Sequence, residues 1–317
     1  MSHYSMRKRD SKLLNCGLRG VAKALSYLIK DYGIEQFNGS FPKNLPSDTV
    51  LDKAAENNGF MWVDVFGGNS RKNLEAAKDT RKALRELKTK RPITYALETD
   101  VRWVNDNGKP LIYCEHNPLY QFALSHTPHR SAKEIAQRES RGKCLTLESL
   151  LKESEDMKLC FDIKIGNGSE KAALEKMFEQ LGDQKDRSWF YSYNMKTLAK
   201  IAEIDPTATL SLRAFNYSGK GDDCLVPYDG WAFKSPEELL RLKADIRKIH
   251  TKGVTITAAA NTDEELINLK RDMDAQGRHL IFATFGEDMR RFEMAYGGLA
   301  MGAYMNKLRF PDVKHIL

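Results

Sequence analysis

At 317 residues the chain has room for one large domain or two small ones, and 41% hydrophobic with 29% charged residues suits a sizeable core rather than a membrane-embedded protein. The net charge of +7 is concentrated at the start, where Arg7, Lys8, Arg9, Lys12, Arg19, Lys23 and Lys30 face only Asp10. An N-terminal span or secretory signal is excluded as an expectation, because Val21–Ile29 is too short to cross a bilayer, is broken by Lys23 and lacks a small-residue cleavage site.

Residues 1–45 read as a basic helical extension. It could meet an anionic membrane surface or nucleic acid through residues 1–30, or be a solvated helix packed across one end of the domain that follows. No nucleic-acid module is recognisable. Cys16, Cys114, Cys144, Cys160 and Cys224 are odd in number and scattered, with no C-x-x-C pair. Neither a disulfide framework nor a zinc site is indicated, and a reducing, cytoplasmic setting is expected, with the membrane periphery as its variant.

From residue 58 onward strand-like and helix-like segments alternate, which implies a parallel sheet covered by helices over residues 46–317. Strands are expected at Phe60–Phe66, Ile93–Val101, Leu159–Ile165, Trp189–Tyr193, Thr209–Leu212, Val254–Ala258 and Leu280–Ala283, with Gly230–Phe233 as a weak eighth. Between them, Leu174, Met177, Phe178 and Leu181 form an apolar helical stripe. Ser235-Pro236-Glu237-Glu238 and Thr262-Asp263-Glu264-Glu265 are two helix starts. Residues 288–308 mix glycines with large apolar side chains and read as a terminal helix closing the bottom or flank. No Gly-x-Gly-x-x-Gly turn marks a dinucleotide site, and eight strands in this rhythm predict a (β/α)8 TIM barrel, an α/β fold.

The chemistry concentrates in Glu98-Thr99-Asp100-Val101. Residues two apart on a strand share a face, so Glu98 and Asp100 point together at a strand's C-terminal end. Asp162 and Lys164 repeat the arrangement in Leu159-Cys160-Phe161-Asp162-Ile163-Lys164. A carboxylate pair at this spacing is commonly a solvated strand face. Here the alternate positions are apolar as well, so both faces are buried and the charges need a partner. Crowded carboxylates are commonly reconciled by a hard cation, Mg²⁺ or Ca²⁺, and a lysine beside it suits a phosphate.

Glu98-Thr99-Asp100-Val101, then Asn107-Gly108-Lys109-Pro110-Leu111-Ile112, His116-Asn117, Thr146-Leu147-Glu148-Ser149-Leu150-Leu151 and Asp162-Ile163-Lys164 resemble, in order and spacing, the glycerophosphodiester phosphodiesterases of the phospholipase-C-like barrel group. The match is looser beyond residue 165, through the Ser192 strand, Pro206 and Thr284. Phe66-Gly67-Gly68-Asn69-Ser70 and the Asp162 strand also resemble the menorin-like family. The resemblance implies a phosphodiesterase acting on a small phosphodiester or a lipid headgroup. Glu98, Asp100 and Asp162 would be metal ligands, Lys164 and Asn69 would bind substrate, and His116 with Lys164 would be the catalytic pair.

Three positions depart from the family. Phe66 stands where a first-strand histidine is expected, Asn117 replaces an aspartate, and Ala258-Ala259-Ala260-Asn261 lacks a tryptophan. One missing proton-transfer group lowers the expected rate about 10²–10⁴-fold. Asp64, two residues before Phe66, would share its face as a substitute base or as a buried partner of Lys164. His126 and His129 could reach the site from the following loop, or be exposed on it. The rival expectations are a non-catalytic barrel that binds metal or a phosphorylated ligand, and a lyase forming a cyclic phosphate.

Overall fold

The structure is a computed structural model that describes residues 44–116, 130–164, 170–192, 194–218, 224–227, 244–245, 251–257, 261–283, 289–305 and 310–317. The expected N-terminal helix, Gly230–Phe233, the helix after Ser235, the loop holding Asn117, His126 and His129, residues 258–260 and Thr284 lie outside them.

Eight parallel strands close into a barrel. They are β1 (Phe60–Asp64), β2 (Ile93–Asp106), β5 (Lys158–Ile163), β6 (Ser188–Ser192), β7 (Leu210–Ser218), β10 (Gly253–Thr257), β11 (His279–Ala283) and β12 (Gly302–Met305). Pairing runs β1-β2-β5-β6-β7-β10-β11-β12, and β12 returns to β1 through Met61↔Gly302 and Asp64↔Met305. The remaining strands are antiparallel annexes at the rim. β3 (Lys109–Cys114) and β4 (Leu145–Thr146) extend β2, while β8 (Cys224–Pro227) and β9 (Ala244–Asp245) extend β7.

Strand alternation divides the core in two. Phe60, Trp62, Leu97, Val101, Leu159, Phe161, Leu212 and Ile256 point outward against the helices. Their partners there include Leu74 and Leu84 of helix Arg71–Glu86, Leu174 and Met177 of Glu170–Leu181, and Leu266, Leu269 and Met273 of Asp263–Ala275. The last of these helices begins in the capping box expected at Thr262 and Glu265. Met61, Val63, Ala96, Cys160, Trp189, Tyr191 and Tyr304 form the inward cluster, and helix Val50–Ala55 inserts Val50, Leu51 and Ala54 among them, at the N-terminal end of the strands.

One expectation narrows and another changes. Of the two places expected for a helix within residues 288–308, the bottom is taken by Val50–Ala55, and helix Met289–Met294 lies on the flank. The eighth strand is Gly302–Met305, within the segment expected to be helical; helix Met289–Met294 precedes it, and its Phe292 packs edge-on to Phe60 and Trp62. Glycine at 302 is required by closeness: a Cβ there would lie 2.6 Å from the Met61 carbonyl oxygen and 2.7 Å from its Cβ. Gly302→Val should therefore destabilise the protein by about 1–3 kcal/mol through overpacking, read as a lower urea midpoint with unchanged m-value. Full tolerance of valine would mean that β12 does not close the barrel in this register.

Candidate functional site

β2 and β5 lie in register at the barrel mouth, pairing Asp100 with Asp162 and Glu98 with Cys160. Because Leu97, Thr99 and Val101 face outward, Glu98 and Asp100 face inward, and Phe161 and Ile163 leave Asp162 inward in the same way. One oxygen from each of Glu98, Asp100 and Asp162 lies within 4.8 Å of the others, and all three residues are buried. Lys164 continues past β5, its backbone N–H donating to the Val101 carbonyl, and places Nζ 2.6 Å from Asp162 Oδ2 and 3.5 Å from Asp100 Oδ1.

His116 arrives by a different route. β2 does not stop at Val101 but runs on to Asp106, turns at Asn107-Gly108 with both φ angles positive, and returns as β3. Asn-Gly is the residue pair that such a two-residue hairpin turn favours. Cys114 then lies opposite Val101, the Glu115 N–H donates to the Asp100 carbonyl, and His116 Nδ1 comes 3.0 Å from Asp100 Oδ2. Behind it, buried Glu115 receives Arg138 and, at 3.4 Å, Arg130.

Each carboxylate has its own supports. Glu98 Oε2 accepts from the Phe66 backbone N–H at 2.6 Å and Oε1 from the Tyr191 hydroxyl at 3.1 Å. Asn69 is spent on Asp100: its Nδ2 donates to Oδ2 at 2.7 Å, while its Oδ1 accepts from the Asp100 N–H and the Thr99 hydroxyl. Asp162 Oδ2 also has Arg213 Nη1 at 3.5 Å, whereas buried Oδ1 has no hydrogen-bond partner among the described residues. Three converging carboxylates with one orphaned oxygen fit a hard divalent cation.

The Phe66 position departs from simple alternation. β1 ends at Asp64, and Phe66 adopts φ +63°, a left-handed conformation uncommon for a bulky residue. Its ring lies on His116 with centroids 3.9 Å apart. Asp64 is not on the Phe66 face: it points outward and accepts from Tyr95, while Lys164 is held by Asp162 and Asp100. Gly67 and Gly68 are small for packing rather than for ligand approach, since a Cβ on them would meet Leu97 Cδ2 and Thr99 Cβ, each at 2.8 Å. Arg213 and Tyr191 escaped the sequence reading. The strand ending at Leu212 stopped one residue short of Arg213, although Ser211 and Arg213 repeat the inward polar spacing of Glu98 and Asp100.

No protein-family model and no curated protein sequence matches this chain. Solved structures do. A glycerophosphodiester phosphodiesterase from Thermotoga maritima superposes with a TM-score of 0.52 at 14% identity, covering 81% of this chain and 98% of that one. One from Agrobacterium tumefaciens gives 0.51 at 14%, covering 81% and 99%. An Oleispira antarctica phosphodiesterase in complex with its product sn-glycerol-3-phosphate gives 0.52 at 13%, covering 81% and 96%. At these identities the likeness establishes a shared barrel fold.

Burial, then repulsion from Asp100 and Asp162, pushes the Glu98 carboxyl well above the usual carboxylate range. Asp100 goes the other way: burial raises it, but Lys164 and the His116 hydrogen bond prevail and leave it lowered. A raised folded-state value means that the Glu98 proton stabilises the fold, in full below its unfolded value of roughly 4.3 and progressively less as pH rises through the folded value. Without divalent metal, the melting temperature should therefore contain a component that falls from about pH 5 upward, and Glu98→Gln should remove it. An identical pH slope in the glutamine variant would exclude Glu98 as its source.

Proposed function

We propose that the protein is a metal-dependent phosphodiesterase acting on a glycerol or other polyol phosphodiester, either a small molecule or a lipid headgroup. The observation that carries this reading is the convergence of Glu98, Asp100 and Asp162 within 4.8 Å beside Lys164 and His116 at the barrel mouth. Barrel enzymes place their chemistry at this end. The three carboxylates would hold Mg²⁺ or Ca²⁺, which when bound polarises the phosphoryl oxygens.

The chain's own groups divide the remaining work. Lys164 offsets charge on the non-bridging phosphoryl oxygens. His116, its Nδ1 edge toward Asp100, presents Nε2 to protonate the leaving alkoxide as the P–O bond breaks. The attacking oxygen comes from water or a neighbouring substrate hydroxyl. Asn69 serves the substrate side indirectly, by fixing both the backbone and the carboxylate of Asp100. The glycerol phosphate bound by the Oleispira antarctica protein supports a ligand of this class.

One observation favours a second reading, a receptor without turnover: the Phe66 ring covers a face of His116 where a second imidazole is expected. Two experiments separate the readings. Because only the folded state assembles the three carboxylates, millimolar Mg²⁺ or Ca²⁺ should raise the melting temperature, and Asp100→Asn should reduce or abolish the rise. A melting curve indifferent to both ions rejects the metal site. In a phosphodiester assay with metal present, Phe66→His should raise a low wild-type rate by about 10²-fold, and should do nothing in an Asp162→Ala background. A fast wild-type enzyme slowed by the histidine would show that His116 needs the phenyl ring rather than a partner acid.

A further inference from the structure

Arg102 lies on β2 two residues beyond Asp100, so it shares the Asp100 face and stands about 7 Å further out along the strand. It is only 8% exposed. Its Nε donates to the Glu115 carbonyl at 3.1 Å, which sets the guanidinium against the backbone that delivers His116. Among the described residues it makes no ion pair, and its remaining N–H donors, all on the two Nη groups, have no acceptor. Arg91 offers a contrast. It is as buried and also without a carboxylate among the described residues, yet its Nε, Nη1 and Nη2 all donate to main-chain carbonyls, those of Asn58, Gly59, Ala295 and Tyr296.

The carboxylates nearest to Arg102 are already taken. Glu115 receives Arg138 and Arg130, and Asp100 receives Asn69, His116 and Lys164. Arg102 still acts on Asp100 through space: burial raises that carboxyl, while Lys164, His116 and then Arg102 lower it. A buried guanidinium whose Nη groups lack acceptors is one that a ligand can complete. We infer that Arg102 binds an anionic group, a carboxylate or a further phosphate, carried by the leaving alcohol of the diester. The inference rests on the phosphodiesterase reading above. There Lys164 meets the phosphoryl group and His116 the leaving oxygen. Arg102, one rung further out beside the His116 backbone, meets what that oxygen carries. The planar guanidinium fork suits two oxygens of a carboxylate or phosphate and repels a quaternary ammonium, so the alcohol is chosen by its charge.

The test compares methyl phosphodiesters that differ only in the second alcohol: glycolate, glycerol phosphate, ethanol or choline. Each is titrated into calcium-loaded protein, so that binding is read apart from turnover. Wild-type protein should bind at least one of the two anionic diesters on the order of 10-fold tighter than the ethyl diester, the gain of one charge-assisted contact, and the choline diester most weakly. The larger of the two ratios tells carboxylate from phosphate. Arg102→Gln should bring the anionic-to-ethyl ratio close to one. Arg102→Met, which keeps the aliphatic stem, should do the same and covers a glutamine variant that does not fold. Wild-type protein that ranks the alcohols equally overturns the inference. So does a ratio that survives in either folded variant, which would trace the preference to the calcium ion or to another residue. Wild-type protein that binds calcium but none of the diesters would reject the phosphodiesterase reading itself, an outcome distinct from failure of the arginine alone.

Discussion

Three carboxylates held within 4.8 Å of one another inside a barrel are the constraint to which the rest of the mouth conforms. Removing an ionised carboxylate from water costs several kcal/mol even after relaxation, and like charges at this spacing add to it. The surroundings answer with specific donors: a backbone N–H and a phenol on Glu98, an amide on Asp100, an ammonium and a guanidinium on Asp162. The barrel interior is accordingly split along its axis. Helix Val50–Ala55, Met61 and Trp189 fill the N-terminal half with apolar side chains, so the hydrophobic effect holds one end while polar contacts organise the other.

Phe66 shows how such a site keeps its shape when a side chain changes. Its backbone N–H reaches Glu98 because φ is +63°, and its carbonyl accepts from Asn73 Nδ2 at 3.0 Å. A non-glycine residue in this conformation costs about 1–3 kcal/mol, offset here by a hydrogen bond to a buried carboxylate and by the ring's contact with His116. Any residue other than proline in that turn supplies the same N–H. Glu98 therefore depends on the Phe66 backbone and not on its side chain, and a carboxylate centre can persist whether position 66 offers an imidazole or a phenyl ring.

Much of this was legible before the structure. Glu98, Asp100, Asp162 and Lys164 were found because they interrupt apolar strands at a spacing of two, and two-fold alternation survives folding wherever a strand is paired on both sides. Legibility failed where alternation stops. β1 ends at Asp64, so counting two further to Phe66 crosses a turn and reverses the side on which Asp64 lies. Strand β12, Gly-Ala-Tyr-Met, is four residues long with no β-branched member and sits beside apolar helical sequence. Its strand character is imposed by β1 and β11 on either side, a tertiary effect that local propensity does not carry.

Arg213 is the instructive omission, because its signal was local. Leu210, Leu212 and Ala214 point outward into the helix layer, which leaves Ser211 and Arg213 inward. The same parity that selects Asp100 and Asp162 selects Arg213. What hid it was its sign. Carboxylates in an apolar strand point to a metal, whereas an arginine near the end of such a strand ordinarily reads as a solvated rim. In a closed barrel that reading fails, because an inward position at the C-terminal mouth faces the barrel interior whatever its charge. Inward parity is therefore the property to follow around all eight strands, with the chemistry read afterwards from the set of charges it collects.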